Sequence, residues 1–157
     1  MNTYEVYLFG HLLGVFLLLG AAGLSTGTGI AVARVPKASQ VVTLTKLMRI
    51  SEFYVTSAGT VLAVLFGILL VDEGGFTMGD PWISAAFVLI VVVLAIDHGF
   101  LMPRAKKALR MAEALGDGPV SDELSTHLNN PITIVAGVLL DISFLVFLWL
   151  MVAKPGA

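Results

Sequence analysis

Four long apolar runs limit what this chain can fold into. They cover residues of about 4–33, 53–71, 81–102 and 131–152, and a helix needs roughly 20 such residues to cross the hydrocarbon core of a bilayer. The composition agrees, because 57% of the residues are hydrophobic and 13% are charged, whereas soluble domains are about 45–50% apolar and about 25% charged. We therefore predict an all-α integral membrane four-helix bundle, a single domain over residues 1–157 that lies in a lipid bilayer.

The charged residues are distributed unevenly between the connections. Eight of the nine Lys and Arg lie in two connections, which cover about residues 34–52 and 103–130. The connection between the second and third runs contains acidic residues and no basic residue. The positive-inside rule places the two basic connections in the cytoplasm and both termini on the outer side. Residues 37–49 have the spacing of a short interfacial helix, the third helix is expected to extend beyond Met102, and Ser121 is expected to begin one helical turn.

Composition also excludes several classes of function. The net charge is −2 and there is no basic stripe, which argues against a nucleic-acid partner. The chain has no cysteine, so it has no disulfide, thiolate ligand or iron–sulfur cluster. It also lacks a phosphate loop, a nucleophile elbow and a zinc-protease motif. Whether the chain is an enzyme stays open.

Glycines of the first run are spaced for close helix packing. Gly10 and Gly14 lie four residues apart, and Gly23 and Gly27 repeat this spacing. Small residues at such positions let helix backbones approach where lipid gives no hydrophobic drive for association. Gly59, on the second run, is a candidate for the same role. If the protein is an accessory subunit, we expect the glycine face of the first helix to bind a second copy of this chain or another membrane protein.

Four ionisable side chains lie inside the apolar runs, namely His11, Asp97, His98 and Asp141. Ionisable groups inside a bilayer are unfavourable and are therefore candidates for function. Counted at about 1.5 Å per residue, His98 lies about 15 Å deeper in the membrane than His11. The two histidines therefore cannot both ligate one haem within a single subunit.

His11 alone could still be an axial ligand of haem b. Tyr7 lies one turn earlier on the same helix face, where it could hydrogen-bond the imidazole or a bound ligand. Met151, near the outer end of the last run, is a candidate for the opposite axial position. The alternative is a neutral imidazole that donates a hydrogen bond to a neighbouring helix, and the residues alone leave both interpretations open.

Asp97, His98 and Asp141 are candidates for a proton relay. Asp97 and His98 point about 100° apart on a helix, so at most one of them faces Asp141 directly. The structural alternative for Asp97 is an ion pair with Arg104 or Lys46. Asp141 lies among apolar residues near the middle of its run, where it must be protonated or paired.

Short motifs spread over nearly the whole chain resemble one group of bacterial membrane proteins. They are GHLLGVFLLLG in the first run, RISEFYVTSAG at the start of the second, DHGFLMPR at the end of the third, and the NNP start and MVAKP end of the fourth. This group includes the membrane-bound protoporphyrinogen oxidases of the haem pathway, the copper-resistance D domains and an uncharacterised family of predicted integral membrane proteins, which looks closest. The resemblance implies a multi-pass protein of the bacterial cytoplasmic (inner) membrane.

The resemblance also implies roles for individual residues. In the oxidases an essential histidine early in the first helix is linked to haem, and His11 matches it. His98 matches a second histidine late in the third helix, and Lys154 with Pro155 matches the common ending. The oxidases also have an essential lysine near the outer start of the third helix, where this chain reads PWISAAFV. The missing lysine argues against protoporphyrinogen oxidation and leaves a haem or porphyrin at His11 as the implied ligand.

Three functional interpretations follow. The leading one is a non-enzymatic accessory or assembly subunit that packs through the first helix. The second is a haem- or porphyrin-binding redox protein with His11 as axial ligand. The third is a small proton-coupled transporter that uses Asp141 with Asp97 and His98.

Overall fold

A computed structural model describes residues 2–156 of the chain. Within these residues seven α-helices form, together with two π-helical turns. The turns, Glu52–Thr56 and Asp97–Leu101, join α2 to α3 and α4 to α5 without a break. The helices are α1 (Thr3–Val32), α2 (Ala38–Ser51), α3 (Ser57–Glu73), α4 (Pro81–Ile96), α5 (Met102–Leu115), α6 (Asp122–Leu128) and α7 (Pro131–Ala153).

Four helical stretches are long and apolar enough to cross a membrane, which confirms the predicted number of spans. They are Thr3–Val32, Ala38–Glu73, Pro81–Leu115 and Asp122–Ala153. The second stretch is longer than predicted, because α2 is not a separate interfacial helix. It continues into α3 through the first π turn, which keeps the chain helical while it inserts one wider turn.

Local sequence explains where the shorter elements begin and end. The Ser121 side chain accepts a hydrogen bond from the Leu124 amide and caps α6, as predicted. Asn130 caps α7 in the same way, and a proline follows at the first helical position, where its missing N–H costs little. Helix α5 ends at Gly116, whose φ of 58° lies in the left-handed region that favours glycine.

The spanning helices pack as two pairs, α1 against α3 and α4 against α7. In the first pair the two backbones come into contact. A Cβ atom on Gly14 would lie 2.8 Å from the Gly59 carbonyl oxygen and closer still to the Ala63 amide nitrogen. Contacts between the pairs are sparser, and a hydrogen bond from Thr26 of α1 to Asp141 of α7 is one of them.

At one end of the molecule, here called the basic end, α2, α5, α6 and the last residue of α1 form a small core. It is built on six buried side chains: Val32, Ala38, Val41, Ala108, Ala112 and Leu124. Backbone bonds from Ala38 to Gly118 (3.0 Å) and from Val120 to Pro36 (3.0 Å) join the two connections.

The opposite end, here called the terminal end, holds the first and last described residues, 2 and 156, and the connection of residues 74–80. Lys154 adopts a left-handed conformation, with φ of 43°. Its Nζ atom lies 4.5 Å from the centre of the Phe76 ring and 5.6 Å from that of Trp82. These cation–π contacts tie the end of α7 to the start of α4.

Between the two ends, large apolar side chains cover the outside of the helices. Phe16 is 75% exposed and Val152 is 77% exposed. Such side chains would be unfavourable in water, and they suit a surface that faces lipid hydrocarbon.

We expect Gly14→Ala to lower the thermal stability of the purified protein. The added methyl group would meet backbone atoms of α3, which cannot move aside as a side chain can, so α1 and α3 must separate at a cost of about 1–3 kcal/mol. Circular dichroism during heating in detergent measures the effect.

Gly23→Ala is the matched control, because a Cβ atom there meets nothing within 4 Å. That variant should melt like the wild type or slightly above it, since alanine is the better helix former. Equal melting temperatures for the two variants would contradict the proposed backbone contact.

Candidate functional site

The two π turns bring three titratable side chains together. Glu52 begins the first turn, and Asp97 and His98 begin the second. The Glu52 carboxyl group lies within hydrogen-bonding reach of Asp97. The Nδ1 atom of His98 lies 3.0 Å from Asp97 Oδ2. Single π turns within α-helices occur frequently at functional sites, and here each turn contributes an acid to the same cluster.

A hydrogen bond between the Glu52 and Asp97 carboxyl groups would require a proton. An ionised carboxylate only accepts hydrogen bonds, so two carboxyl groups can hydrogen-bond to each other only when one of them carries a hydrogen. The Thr56 hydroxyl donates a further, longer bond of 3.4 Å to Glu52 Oε2. Asp97 is sheltered, with 22% of its side chain exposed, whereas 55% of the His98 side chain is exposed. His98 is therefore the member of the cluster that faces the surroundings.

The structure does not form the ion pairs expected as the alternative for Asp97. Lys46 Nζ instead lies 3.0 Å from Glu113 Oε1, across the α2–α5 contact. The guanidinium group of Arg104 lies over the Phe100 ring, 5.3 Å from its centre. Both bases are thus engaged along α2 and α5, and the partners of Asp97 are His98 and Glu52.

His11 lies in the contact between α1 and α3. Its Nδ1 atom is 2.8 Å from the Ala63 carbonyl oxygen, and because a carbonyl only accepts, Nδ1 carries the hydrogen. The ring nitrogen that does not take part in this bond is Nε2. Gly67 makes this approach feasible, since a Cβ atom there would lie 3.1 Å from His11 Nδ1. The alternative to haem ligation in the sequence analysis was a hydrogen bond from His11 to a neighbouring helix, and the structure contains such a bond.

The other residues considered for a haem, Tyr7 and Met151, make apolar contacts. The Tyr7 ring contacts Phe66 of α3, with 6.1 Å between the ring centres. Met151 belongs to the α4–α7 pair, where it packs on the buried cluster around Trp82. Among residues 2–156, no group of three or more His, Asp and Glu side chains is arranged to hold a metal ion.

Asp141 is separate from the Glu52–Asp97–His98 cluster in its contacts. The Thr26 hydroxyl donates to its carboxyl group, 2.9 Å from Oδ2 and 3.2 Å from Oδ1. The bond joins α7 to α1, whereas Asp97 and Glu52 join the two π turns. The structure thus divides the predicted relay between two places.

The predicted packing glycines of α1 also divide into two sets. Gly10 is buried beneath the Phe66 ring, and Gly14 lies against the α3 backbone. A Cβ atom on Gly23 or Gly27 would meet nothing within 4 Å. Helix α3 therefore occupies the Gly10–Gly14 surface, and it is not free to bind a partner.

Sequence reasoning missed three residues of these sites. Glu52 lies at the start of an apolar run, next to basic residues, and such a position is typical of a solvated carboxylate. Gly67 and Thr26 are ordinary in a membrane helix, and their roles depend on which helix lies opposite. The one signal available for Glu52 was its position directly before the apolar residues FYVT.

Comparison with known protein families identifies a match to this chain. The family model described as predicted integral membrane protein (DUF2269) matches residues 6–155. No curated protein and no solved structure matches the chain. The matched range includes every residue of the sites above and all four spans except the first three residues of α1, and the chain belongs to this family of predicted integral membrane proteins.

Proposed function

We propose that the protein is a small proton-coupled membrane transporter whose coupling proton binds between Glu52 and Asp97. The observation that carries this proposal is that two carboxyl groups from different spanning helices, one on each π turn, lie within hydrogen-bonding reach of each other. Acids within spanning segments typically mark ion pathways and proton relays. The proposal assigns the coupling proton to Glu52 rather than to Asp141, which has Thr26 as its partner.

The three side chains have different roles in the proposed exchange. His98, with its exposed ring, accepts a proton from water at the basic end and passes it to Asp97 through Nδ1. Asp97 then shares this proton with Glu52, and the shared proton holds the two π turns together. When it leaves, two carboxylates face each other and repel. Separation of the π turns would then change how the α2–α3 and α4–α5 helices pack.

We expect Asp97→Asn to stop proton exchange. In lipid vesicles containing a pH-sensitive dye, a potassium diffusion potential should drive faster proton entry through the wild type than through empty vesicles. An amide cannot take up or release a proton, so the variant should lose roughly a hundredfold or more of this rate, the scale on which a positioned acid or base acts.

Glu73→Gln is the control, because Glu73 is an exposed acid at the far end of α3. It should transport protons like the wild type, and Glu52→Gln should resemble Asp97→Asn. Proton entry no faster than in empty vesicles, or an unchanged rate in Asp97→Asn, would refute the proposal.

A second candidate function rests on His11. Histidines that bind a metal usually donate their other ring nitrogen to a carbonyl or carboxylate, which fixes the orientation of the ligating atom. The bond from Nδ1 to the Ala63 carbonyl satisfies this condition and leaves Nε2 as the ligating atom. Met151 packs on the other helix pair, so this candidate is a haem with His11 as its single protein ligand.

This candidate predicts a Soret band in protein purified after growth with haem precursors. His11→Ala should remove the band, because it removes the axial nitrogen, and His98→Ala should keep it. Protein without a Soret band, or a spectrum that His11→Ala leaves unchanged, would eliminate haem binding at this site.

A further inference from the structure

One face of α5 carries three exposed bases. Lys106, Lys107 and Arg110 fall on the same side of the helix. The opposite side, with Ala108 and Ala112, is buried in the core of the basic end. Packing therefore fixes the direction in which the three bases point.

Further contacts hold α5 in this orientation. His127 of α6 donates through Nε2 to the carbonyl oxygen of Arg104, at 3.1 Å. Lys46 of α2 pairs with Glu113, near the end of α5. Helix α5 also continues from α4 through the second π turn. The basic face is thus attached to a rigid part of the fold and not to a loose connection.

The three bases have no acidic partner within residues 2–156. The ion pairs recorded there join Lys46 to Glu113 and His98 to Asp97. Acids do occur nearby, but they come later in the chain, at positions 113, 117, 122 and 123. Charge is therefore ordered along α5 and the residues that follow it. The bases come first, next to the membrane-spanning part, and the acids come after them.

The position of the bases along the helix places them at the level of lipid headgroups. From Pro81 to Lys106 the helix rises by about 38 Å at 1.5 Å per residue. The hydrocarbon core is about 30 Å thick, and about 40–45 Å with both headgroup layers. With α4 beginning at one edge of the core, the backbones of Lys106 and Lys107 lie at the outer limit of the opposite headgroup layer. Their flexible side chains, and that of Arg110, can reach back into this layer.

We propose that the α5 face formed by Lys106, Lys107 and Arg110 binds the headgroups of anionic phospholipids. The exposed bases provide several N–H donors and three positive charges, which suit a phosphate with a net negative charge. A zwitterionic headgroup carries its own cation and gains less from this face. The proposal is independent of the proposed proton exchange, because none of the three bases belongs to that site.

Lipid retention tests this proposal. The protein is reconstituted in nanodiscs containing phosphatidylglycerol and phosphatidylcholine, and then extracted mildly so that the lipids retained around it can be counted by mass spectrometry. The wild type should be enriched in phosphatidylglycerol over the starting mixture. Lys106→Gln/Lys107→Gln should reduce the enrichment by about fivefold to thirtyfold, the range expected when one or two bases near a membrane surface are lost.

Arg34→Gln/Lys37→Gln is the matched control, because it removes the same charge from exposed residues beside the far end of α5, where Pro36 and Ala38 bond to residues 118–120. It should retain the wild-type enrichment, and so should Lys106→Arg/Lys107→Arg. High salt should weaken the enrichment through screening. Wild-type enrichment in Lys106→Gln/Lys107→Gln, or equal loss in both double variants, would overturn the proposal.

Discussion

The backbone contact between Gly14 and α3 fixes the register of the first helix pair, and the polar groups of that pair follow from it. His11 lies one turn from Gly14, which brings its ring to the Ala63 carbonyl. Glu52 lies two turns before Gly59 along the α2–α3 helix, towards the basic end. A bulkier residue at position 14 would separate the helices and lengthen the His11 hydrogen bond. The close packing of α1 on α3 therefore also determines where the polar groups of this pair lie.

The hydrocarbon core of a bilayer contains no water that could hydrogen-bond to a polar group. Each polar group of a spanning helix therefore needs a hydrogen-bond partner within the protein. His11 uses a carbonyl oxygen, Asp141 uses the hydroxyl of Thr26, and Asp97 uses Glu52 and His98. The hydrogen bonds of His11 and Asp141 form without any exchange of protons. Glu52 and Asp97 differ, because two carboxyl groups can hydrogen-bond to each other only with a proton between them. This difference makes the acid pair the better candidate for chemistry.

The spans could be predicted from the sequence because an apolar run and its length are local properties. The extension of the third helix beyond Met102 and the short helix after Ser121 were predictable for the same reason. The continuity of α2 with α3 was not, since a π turn leaves no clear mark in the order of the residues. Gly10 and Gly14 have the same spacing as Gly23 and Gly27. The two pairs nevertheless have different surroundings, because only the first pair faces α3. The Glu52–Asp97 contact likewise depends on how two distant spans align.

The shared proton is the central claim, and infrared spectroscopy of the protein in lipid at neutral pH observes it directly. A protonated carboxyl group has a C=O stretch well separated from the bands of ionised carboxylates. The wild type should show this band, Glu52→Gln and Asp97→Asn should each alter it, and Asp141→Asn should leave that component in place. A wild-type spectrum that neither Glu52→Gln nor Asp97→Asn changes in this region would contradict the account.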